Sequence, residues 1–355
     1  MPARVAVALS GGVDSAVAAA LLLEQGWDVI GVTMRIWHEP PLSSDVPPLP
    51  DPANGAGRVA EVLGIPLHVI DAAVPFKQHV VDRFIAEYSA GRTPNPCLYC
   101  NRRVKFGYLF EQALVLSVEH FATGHYARVY LAPDGSAWQL LRGVDRGKDQ
   151  SYVLYVLGQR ELSRVIFPLG ELTKDRVRQM ALERGLHAAH TEESQDLCFV
   201  CDGDYRRFLL RYAPQAFAPG PILDTSGREI GRHKGLAAYT IGQRGGMGIA
   251  APEALYVLRI DVARNALIAG PKCELGRDRL TACEVNWISG LPPEASVQVN
   301  AKIRYRAGAV QATVTPLPDA SVEVVFVEPL RDITPGQGIV FYRDDMVLGG
   351  GIITF

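Results

Sequence analysis

Two Cys-x-x-Cys pairs, Cys97/Cys100 and Cys198/Cys201, and one Ser-Gly-Gly-Val-Asp-Ser run, Ser10 to Ser15, are the residues of this chain best suited to chemistry. Thiolates attack electrophilic carbon and sulfur, and two thiols that meet can exchange with a disulfide. In the Ser10–Ser15 run, Gly11 and Gly12 let backbone N–H groups close on phosphate oxygens with no Cβ in the way. A helix that starts directly after such a loop adds unpaired donors and a partial positive charge. Ser10 and Ser15 supply hydroxyls, and Asp14 is suited to help hold a magnesium ion. No Lys follows, so this is not a Walker loop. The stretch Gly143 to Lys148 has the wrong spacing for one and lacks the Ser/Thr that must follow the Lys. Gly55-Ala-Gly57-Arg-Val-Ala60 fits a dinucleotide fingerprint loosely, but it follows a Pro-rich stretch instead of a strand and is set aside. Between Gly91 and Phe110 lie four basic residues, Arg92, Arg102, Arg103 and Lys105, and no acid. Such neighbours are expected to favour thiolate at the first cysteine pair.

Regular alternation of strand and helix must position these groups. Arg4 to Leu9 is a short Val/Ala-rich run suited to a buried parallel strand, and Val29 to Met34, Leu67 to Asp71 and Phe121 to Thr123 supply more. Helices are expected over Asp14–Gln25 (closed by Gly26), Arg58–Leu63, Phe76–Tyr88, Val104–Leu114 and from Thr173 to Gly185. The pattern predicts an α/β fold, an N-terminal doubly wound parallel sheet covered on both faces. His38 to Pro52 carries six prolines and reads as a loop or lid. Ala132-Pro-Asp-Gly135 reads as a hairpin turn. After about Asp202 the period changes. One helix, Tyr205 to Tyr212, precedes short strands separated by Gly-containing turns, which predicts a small central mixed domain and a C-terminal β-barrel. The expected domains are 1–201, 202–279 and 280–355.

Bulk properties narrow the class. With 48% hydrophobic and 21% charged residues the chain has globular composition. The early apolar run Ala16 to Leu23 falls well short of the roughly 20 residues of a membrane span. No cleavable leader is read at the start, so a cytoplasmic protein with no membrane partner is expected. In that compartment six cysteines point to thiol or metal chemistry before structural disulfides. Cys273 and Cys283 read as packing residues. A net charge of −2 does not advertise a nucleic-acid binder. His187 and His190 read as surface or packing histidines, not a ligand pair.

Several separated segments occur together: Gly91-Arg-Thr-Pro-Asn-Pro-Cys-Leu-Tyr-Cys-Asn-Arg-Arg-Val-Lys-Phe106, Glu193-Ser-Gln-Asp-Leu-Cys-Phe199, Thr123-Gly-His-Tyr-Ala-Arg128 and Lys148-Asp-Gln-Ser-Tyr152. With the phosphate loop, Gly242-Gln-Arg244, Arg304-Tyr-Arg306 and Thr334-Pro-Gly-Gln337, they resemble the bacterial tRNA-specific 2-thiouridylase (MnmA) family over nearly the whole chain. That family belongs to the pyrophosphatase-loop (PP-loop) enzymes, which split ATP into AMP and pyrophosphate. The resemblance implies an adenine-nucleotide alpha hydrolase-like first domain, ATP and Mg2+ as cofactors, and as partners tRNA and a sulfur-relay or cysteine desulfurase donor protein. It implies that ATP adenylates the C2 oxygen of the wobble uridine. A persulfide on Cys198 then delivers sulfur, and Cys100 releases it through a transient disulfide with Cys198. By the same matching Ala8, Leu9, Ser10, Gly11, Gly12, Val13, Asp14, Ser15, Met34 and Gly124 contact ATP. Asn95, Pro96 and Cys97 meet the target base, and His125, Lys148, Asp149, Gln150, Arg304, Tyr305 and Gln337 touch tRNA.

Physical chemistry is consistent with those roles. The prolines around Asn95 stiffen a loop that must present a thiol to a base, which has to leave its stack to be reached. Lys302, Arg304 and Arg306 suit phosphates, though such charges also form ordinary solvated strand faces. The chain departs from the family pattern at Cys97, where many members carry Asp, and at the additional Cys201. Three readings stay open: Cys97 as an auxiliary or bystander thiol, a [4Fe–4S] cluster on Cys97, Cys100 and Cys198, or a structural zinc on all four paired cysteines. Competing functions are another PP-loop enzyme, such as an amidating synthetase, and a non-catalytic RNA-binding protein with metal-bound cysteines.

Overall fold

The computed structural model describes residues 2–42, 51–186, 197–331 and 333–355. Part of the Pro-rich stretch, His187, His190 and Glu193 to Asp196 lie outside them.

The alternation read from the sequence folds as a five-stranded, all-parallel sheet in the order β3-β2-β1-β4-β7. Its strands are β1 (Arg4–Ala8), β2 (Asp28–Arg35), β3 (Leu67–Asp71), β4 (His120–Ala122) and, after the hairpin described below, β7 (Val165–Ile166). Strand order reverses between β1 and β4. In open parallel sheets, ligands bind in the crevice at the carboxyl ends of the strands at this switch point. The phosphate loop leaves β1 there, and Thr123 to Tyr126 leaves β4 there.

Helices cover the sheet. α1 (Val13–Glu24) is built from Ala, Val and Leu and is buried along most of its length, with Gly26 in the left-handed conformation after its end. α2 (Pro52–Leu63) starts earlier than expected, because Asp51 caps it and Pro52 suits a first-turn position. The Gly55-Ala-Gly57 run therefore lies inside a helix. Its glycine has a packing role: a Cβ on Gly11 would lie 2.7 Å from the Cα of Gly55. α3 (73–89) and α4 (96–115) are continuous helices with wide π-type turns at Lys77–Val81 and Cys100–Leu109. α5 (Lys174–Glu183) is capped by Thr173, and α6 (Tyr205–Tyr212) by Asp204.

A central four-stranded mixed sheet runs β10-β11-β8-β9, from β8 (Gly220–Leu223), β9 (Glu229–His233), β10 (Leu255–Asp261) and β11 (Ala266–Pro271). The third sheet closes into a six-stranded barrel because β12 (Arg277–Trp287) pairs with both β15 (Val322–Leu330) and β17 (Met346–Thr354). The other barrel strands are β13 (Val297–Lys302), β14 (Val310–Pro316) and β16 (Gly338–Arg343).

The hairpin β5 (Ala127–Leu131) and β6 (Trp138–Arg142), joined by the turn read at Ala132–Gly135, does not join the parallel sheet. It pairs instead with β17, Leu140 opposite Val347 and Leu141 opposite Met346, and extends the barrel wall. One apolar cluster consequently runs from Phe106, Phe121 and Tyr152 into Val340, Tyr342 and Ile352 of the barrel. Cys283 is half-buried, as a packing residue should be, whereas Cys273 is exposed and packs nothing of that kind. Among the described residues no helix is long and apolar enough to cross a membrane.

Candidate active site

The phosphate loop is tied to itself by its two serines. The Ser15 hydroxyl donates to the Gly12 carbonyl (3.0 Å) and accepts from the Ser10 amide (3.2 Å), while the Gly12 amide donates to the Ser10 hydroxyl (3.4 Å). Gly11 adopts φ +79°, where an L side chain is strained. Gly12 occupies the N-cap of α1 and has no side chain to accept the first helical amides. The result is a concave set of donors at a helix N-terminus, a receptor for an anion. Gly124 forms its opposite wall: a Cβ there would lie 2.8 Å from backbone atoms of Asp14 and Ser15. Met34, near the end of β2, is half-buried and packs against the apolar core.

Asp14, read as a magnesium-holding residue, is engaged by two other side chains. Its carboxylate accepts both 2.7 and 2.8 Å bonds from Lys174 Nζ and a 2.8 Å bond from the Tyr126 hydroxyl. The Lys174 side chain is only 5% exposed, so its charge is largely removed from water and aimed at the loop. An ammonium group already neutralises Asp14, and a magnesium ion must share or displace it. Gln150 supports this arrangement, exchanging bonds with the Tyr126 amide (3.0 Å) and carbonyl (2.9 Å). Asp149, also buried, accepts from the Gly143 and Ser151 amides and the Ser151 hydroxyl. The structure thus places Asp149 and Gln150 as internal braces. Lys148, beside them, is half-buried.

Lys174 and Tyr126 were not singled out in the sequence. A signal existed: a lysine at the first position of a helix opposes the helix dipole, which calls for another reason to be there.

The cysteines sit on two segments that the fold brings together. Asn95 caps α4, its side-chain oxygen accepting from the Cys97 amide (3.1 Å), so Cys97 and Cys100 share the opening turn. Cys97 and Cys198 are exposed and Cys100 is half-buried. All six cysteines are thiols. Burial pushes the Cys100 thiol up to about 12, and the nearby Cys198 and Cys97 thiols add to the rise; Lys105 opposes it. Burial, then Cys97, pushes Cys198 up to about 11, again against Lys105. The expected depression by Arg102, Arg103 and Lys105 is therefore overturned: desolvation outweighs the one ammonium group that acts on both thiols. Arg102 faces Glu284 on the barrel (3.6 Å).

Among the described residues no three His, Cys, Asp or Glu side chains form a ready metal-holding group, and the [4Fe–4S] reading of Cys97, Cys100 and Cys198 gains no support from them. A four-cysteine zinc site fails for a visible reason: the Cys201 thiol is turned to Glu39 (3.3 Å).

His125 links the two halves. It shares a 2.7 Å hydrogen bond with Thr123, packs against Phe106 of α4 and is 7% exposed. Burial, aided by the positive charge of Lys105, holds it well below the usual histidine range, so it stays neutral. Gln337 is likewise engaged, donating to the Thr93 carbonyl (2.7 Å) in the loop before Asn95. Arg304 donates to the Thr334 hydroxyl, and Tyr305 packs its ring against Tyr152. Pro96 is half-buried at the start of α4.

Three family models divide the chain: a tRNA methyl transferase HUP domain over residues 3–202, a tRNA methyl transferase PRC-barrel domain over 206–271 and an aminomethyltransferase beta-barrel domain over 277–353. The tRNA-specific 2-thiouridylase MnmA of Chloroflexus aurantiacus is 50% identical over 353 residues, 99% of this chain and 98% of that one. This chain belongs to the MnmA family. The MnmA of Magnetococcus marinus is 48% identical over 99% of both chains, and that of Moorella thermoacetica 46% over 98% of both. Among solved structures, a 4-thiouridine synthetase–RNA complex with bound ATP covers 60% of this chain and 51% of its own at 18% identity and TM-score 0.36, too loose a likeness to bear on function.

Proposed function

We propose that this chain is an ATP-dependent tRNA 2-thiouridylase that uses Cys198 and Cys100 as a sulfur-transfer pair. One observation carries the reading: the phosphate loop and the thiols are neighbours through a short chain of contacts. Gly124 touches the loop, His125 follows it and packs on α4, and Lys105 of α4 acts electrostatically on His125, Cys100 and Cys198 alike.

Magnesium–ATP is the first substrate. Ala8 to Ser15 cradle its phosphates, with Met34 and Gly124 beside them. Lys174, partnered by Asp14 until nucleotide arrives, supplies a desolvated positive charge near the leaving pyrophosphate. The uridine C2 oxygen attacks the α-phosphorus and pyrophosphate departs, so that C2 now bears AMP as a leaving group. The terminal sulfur of a Cys198 persulfide attacks C2 and AMP leaves with the oxygen. Cys100 thiolate then attacks the Cys198 Sγ, the bond between Sγ and the transferred sulfur breaks, and 2-thiouridine is released. The resulting Cys100–Cys198 disulfide is reopened by an external thiol, which restores both thiols.

Residues 1–201 carry this chemistry in our reading, with 202–279 and 280–355 holding tRNA. Asn95, Pro96 and the exposed Cys97 flank the base, and Lys148, Arg304 and Tyr305 line the RNA side. A donor protein or small-molecule persulfide loads Cys198, and Cys97 acts as an auxiliary thiol. Methyl transfer or amidation leaves Cys100 and Cys198 without a task.

The test is to incubate the enzyme with magnesium–ATP, unmodified tRNA and a persulfide or sulfide donor and to analyse digested nucleosides by mass spectrometry. 2-Thiouridine at the wobble position is the expected product. Its absence with both donors, or its formation by enzyme lacking both Cys100 and Cys198, contradicts the proposal.

A further inference from the structure

Glu39 is a buried carboxylate outside the machinery described so far. Its side chain is 0% exposed, and it lies on the segment that follows β2. An isolated carboxylate at such a position is costly unless cations and hydrogen bonds surround it. They do. Arg207 of α6 grips it with both terminal nitrogens, one at 2.7 Å and one closer, and Arg211 adds a 3.1 Å contact. The Cys201 thiol donates to Glu39 Oε2 (3.3 Å) and the Cys201 amide to the same oxygen (3.4 Å). Arg207 is itself held by Asp202, at 2.9 and 2.7 Å.

These bonds converge on one tetrapeptide, Cys198-Phe199-Val200-Cys201. The Glu39 amide donates to the Phe199 carbonyl (3.0 Å), so backbone and side chain of one residue grip both halves of it. Phe199, 1% exposed, is wedged among Phe76, Phe84 and Phe208 with ring centroids 6.0, 5.5 and 5.5 Å away, and Val200 is 3% exposed. Three of the four residues point inward or into the ion cluster, and Cys198 alone is exposed. The direction in which Cys198 faces is thereby set by Glu39 and by a helix of the central region.

We propose that Glu39, clamped by Arg207, is a positioning residue that aims Cys198 at Cys100 and the activated base, and that Cys201 serves this latch as a hydrogen-bond donor and carries no sulfur. The inference rests on reading Cys198 as the sulfur-bearing thiol. Charge supports it. Burial works against ionisation of Glu39, but the bonds from Arg207 and Cys201 win and hold it below the usual carboxylate range. Burial and then Glu39 raise the Cys201 thiol, keeping it protonated, a donor and a poor nucleophile.

The experiment uses the full-length enzyme with variants Glu39→Ala, Glu39→Gln, Cys201→Ser, Cys201→Val and, as the reference, Cys198→Ser. Two rates are measured, 2-thiouridine formation with a persulfide donor and tRNA-dependent pyrophosphate release without one. Misplacing a reacting group by about 1 Å costs on the order of 10²-fold, so Glu39→Ala is expected to lose about that in thiolation while retaining pyrophosphate release. Glu39→Gln keeps an accepting oxygen but loses the charge and should fall between Glu39→Ala and the parent. Cys201→Ser preserves the donor and should thiolate at nearly the parent rate, whereas Cys201→Val, which cannot donate, should not. Where Glu39→Ala loses both rates through misfolding, the Cys201→Ser and Cys201→Val pair decides. Equal thiolation by Cys201→Val and the parent, or by Glu39→Ala and the parent, overturns the latch. A Cys201→Ser enzyme as inactive as Cys198→Ser overturns it too, by making Cys201 a sulfur carrier. Full thiolation by Cys198→Ser removes the underlying reading of Cys198, a result distinct from failure of the latch alone.

Discussion

The phosphate loop is held by residues of one sheet and its helices: Gly55 behind it, Gly124 opposite, and Lys174 across it on Asp14. The segment carrying Cys97 and Cys100 is held by all three sheets. Thr93 takes a bond from Gln337 and donates its amide to Pro335 on the barrel, and its hydroxyl meets Thr240 near the central sheet (3.1 Å). A Cβ on Gly91 would lie 2.7 Å from Val262, and one on Gly336 3.0 Å from the Thr93 backbone. The nucleotide end is thus a local device, complete within one domain. The sulfur end is assembled from distant parts, and its geometry depends on how those parts dock. That difference suits a two-stage reaction in which activation is a general step and thiol placement is specific to the RNA.

The comparison can be broken most sharply at Lys174. Lys174→Met removes a preorganised charge, and tRNA-dependent pyrophosphate release should fall about 10²- to 10³-fold, measured in a single turnover. Release at the parent rate detaches Lys174 from the phosphates. Next in size is Gly124→Ala, whose methyl must push β4 away from Asp14 and Ser15. Overpacking of this kind costs about 1–3 kcal/mol, and the weakened ATP binding should be visible by calorimetry, with Cys198 alkylation unchanged. At the sulfur end, Gln337→Ala removes one bond to the Thr93 carbonyl, worth about 1 kcal/mol in melting experiments. It should lower thiolation and leave pyrophosphate release alone. A loss of both rates together makes Gln337 a general structural residue.

A smaller effect concerns pH. Cys100 and Cys198 lie at about 12 and about 11, above the 9.0 taken as ordinary, so the folded enzyme holds these protons more tightly than the unfolded chain. Stability from this source is whole below pH 9 and drains away as the pH climbs from there through the two folded-state values. Alkylation of Cys198 in nucleotide-free enzyme, followed by peptide mass spectrometry, should keep accelerating up to about pH 11. A plateau near neutral pH contradicts a Cys198 thiol raised above the ordinary range.

Much of the nucleotide end was legible because its signals are local. Ser10 to Ser15 follows a buried-strand pattern and precedes an Ala-rich helix, and Gly26 and Thr173 mark helix ends by their own backbone preferences. The hairpin turn at Ala132–Gly135 was legible for the same reason, but its partner was not: pairing Leu140 with Val347 is a long-range choice with no local trace. In the sequence Glu39 reads as part of a Pro-rich loop, since nothing in its neighbourhood shows that Arg207 and Arg211 will meet it. The basic run Arg102, Arg103 and Lys105 misled for a related reason. Charge is visible in a sequence, while the desolvation that outweighs it at Cys100 exists only once the chain has folded.

The division of labour between the two ends is tested most directly by a rapid-quench single turnover with Cys100→Ser and Cys198→Ser enzymes, magnesium–ATP, tRNA and a persulfide donor. Both variants should release pyrophosphate at close to the parent rate and yield no 2-thiouridine. Loss of pyrophosphate release in step with thiolation, or 2-thiouridine formed without either thiol, would contradict the account.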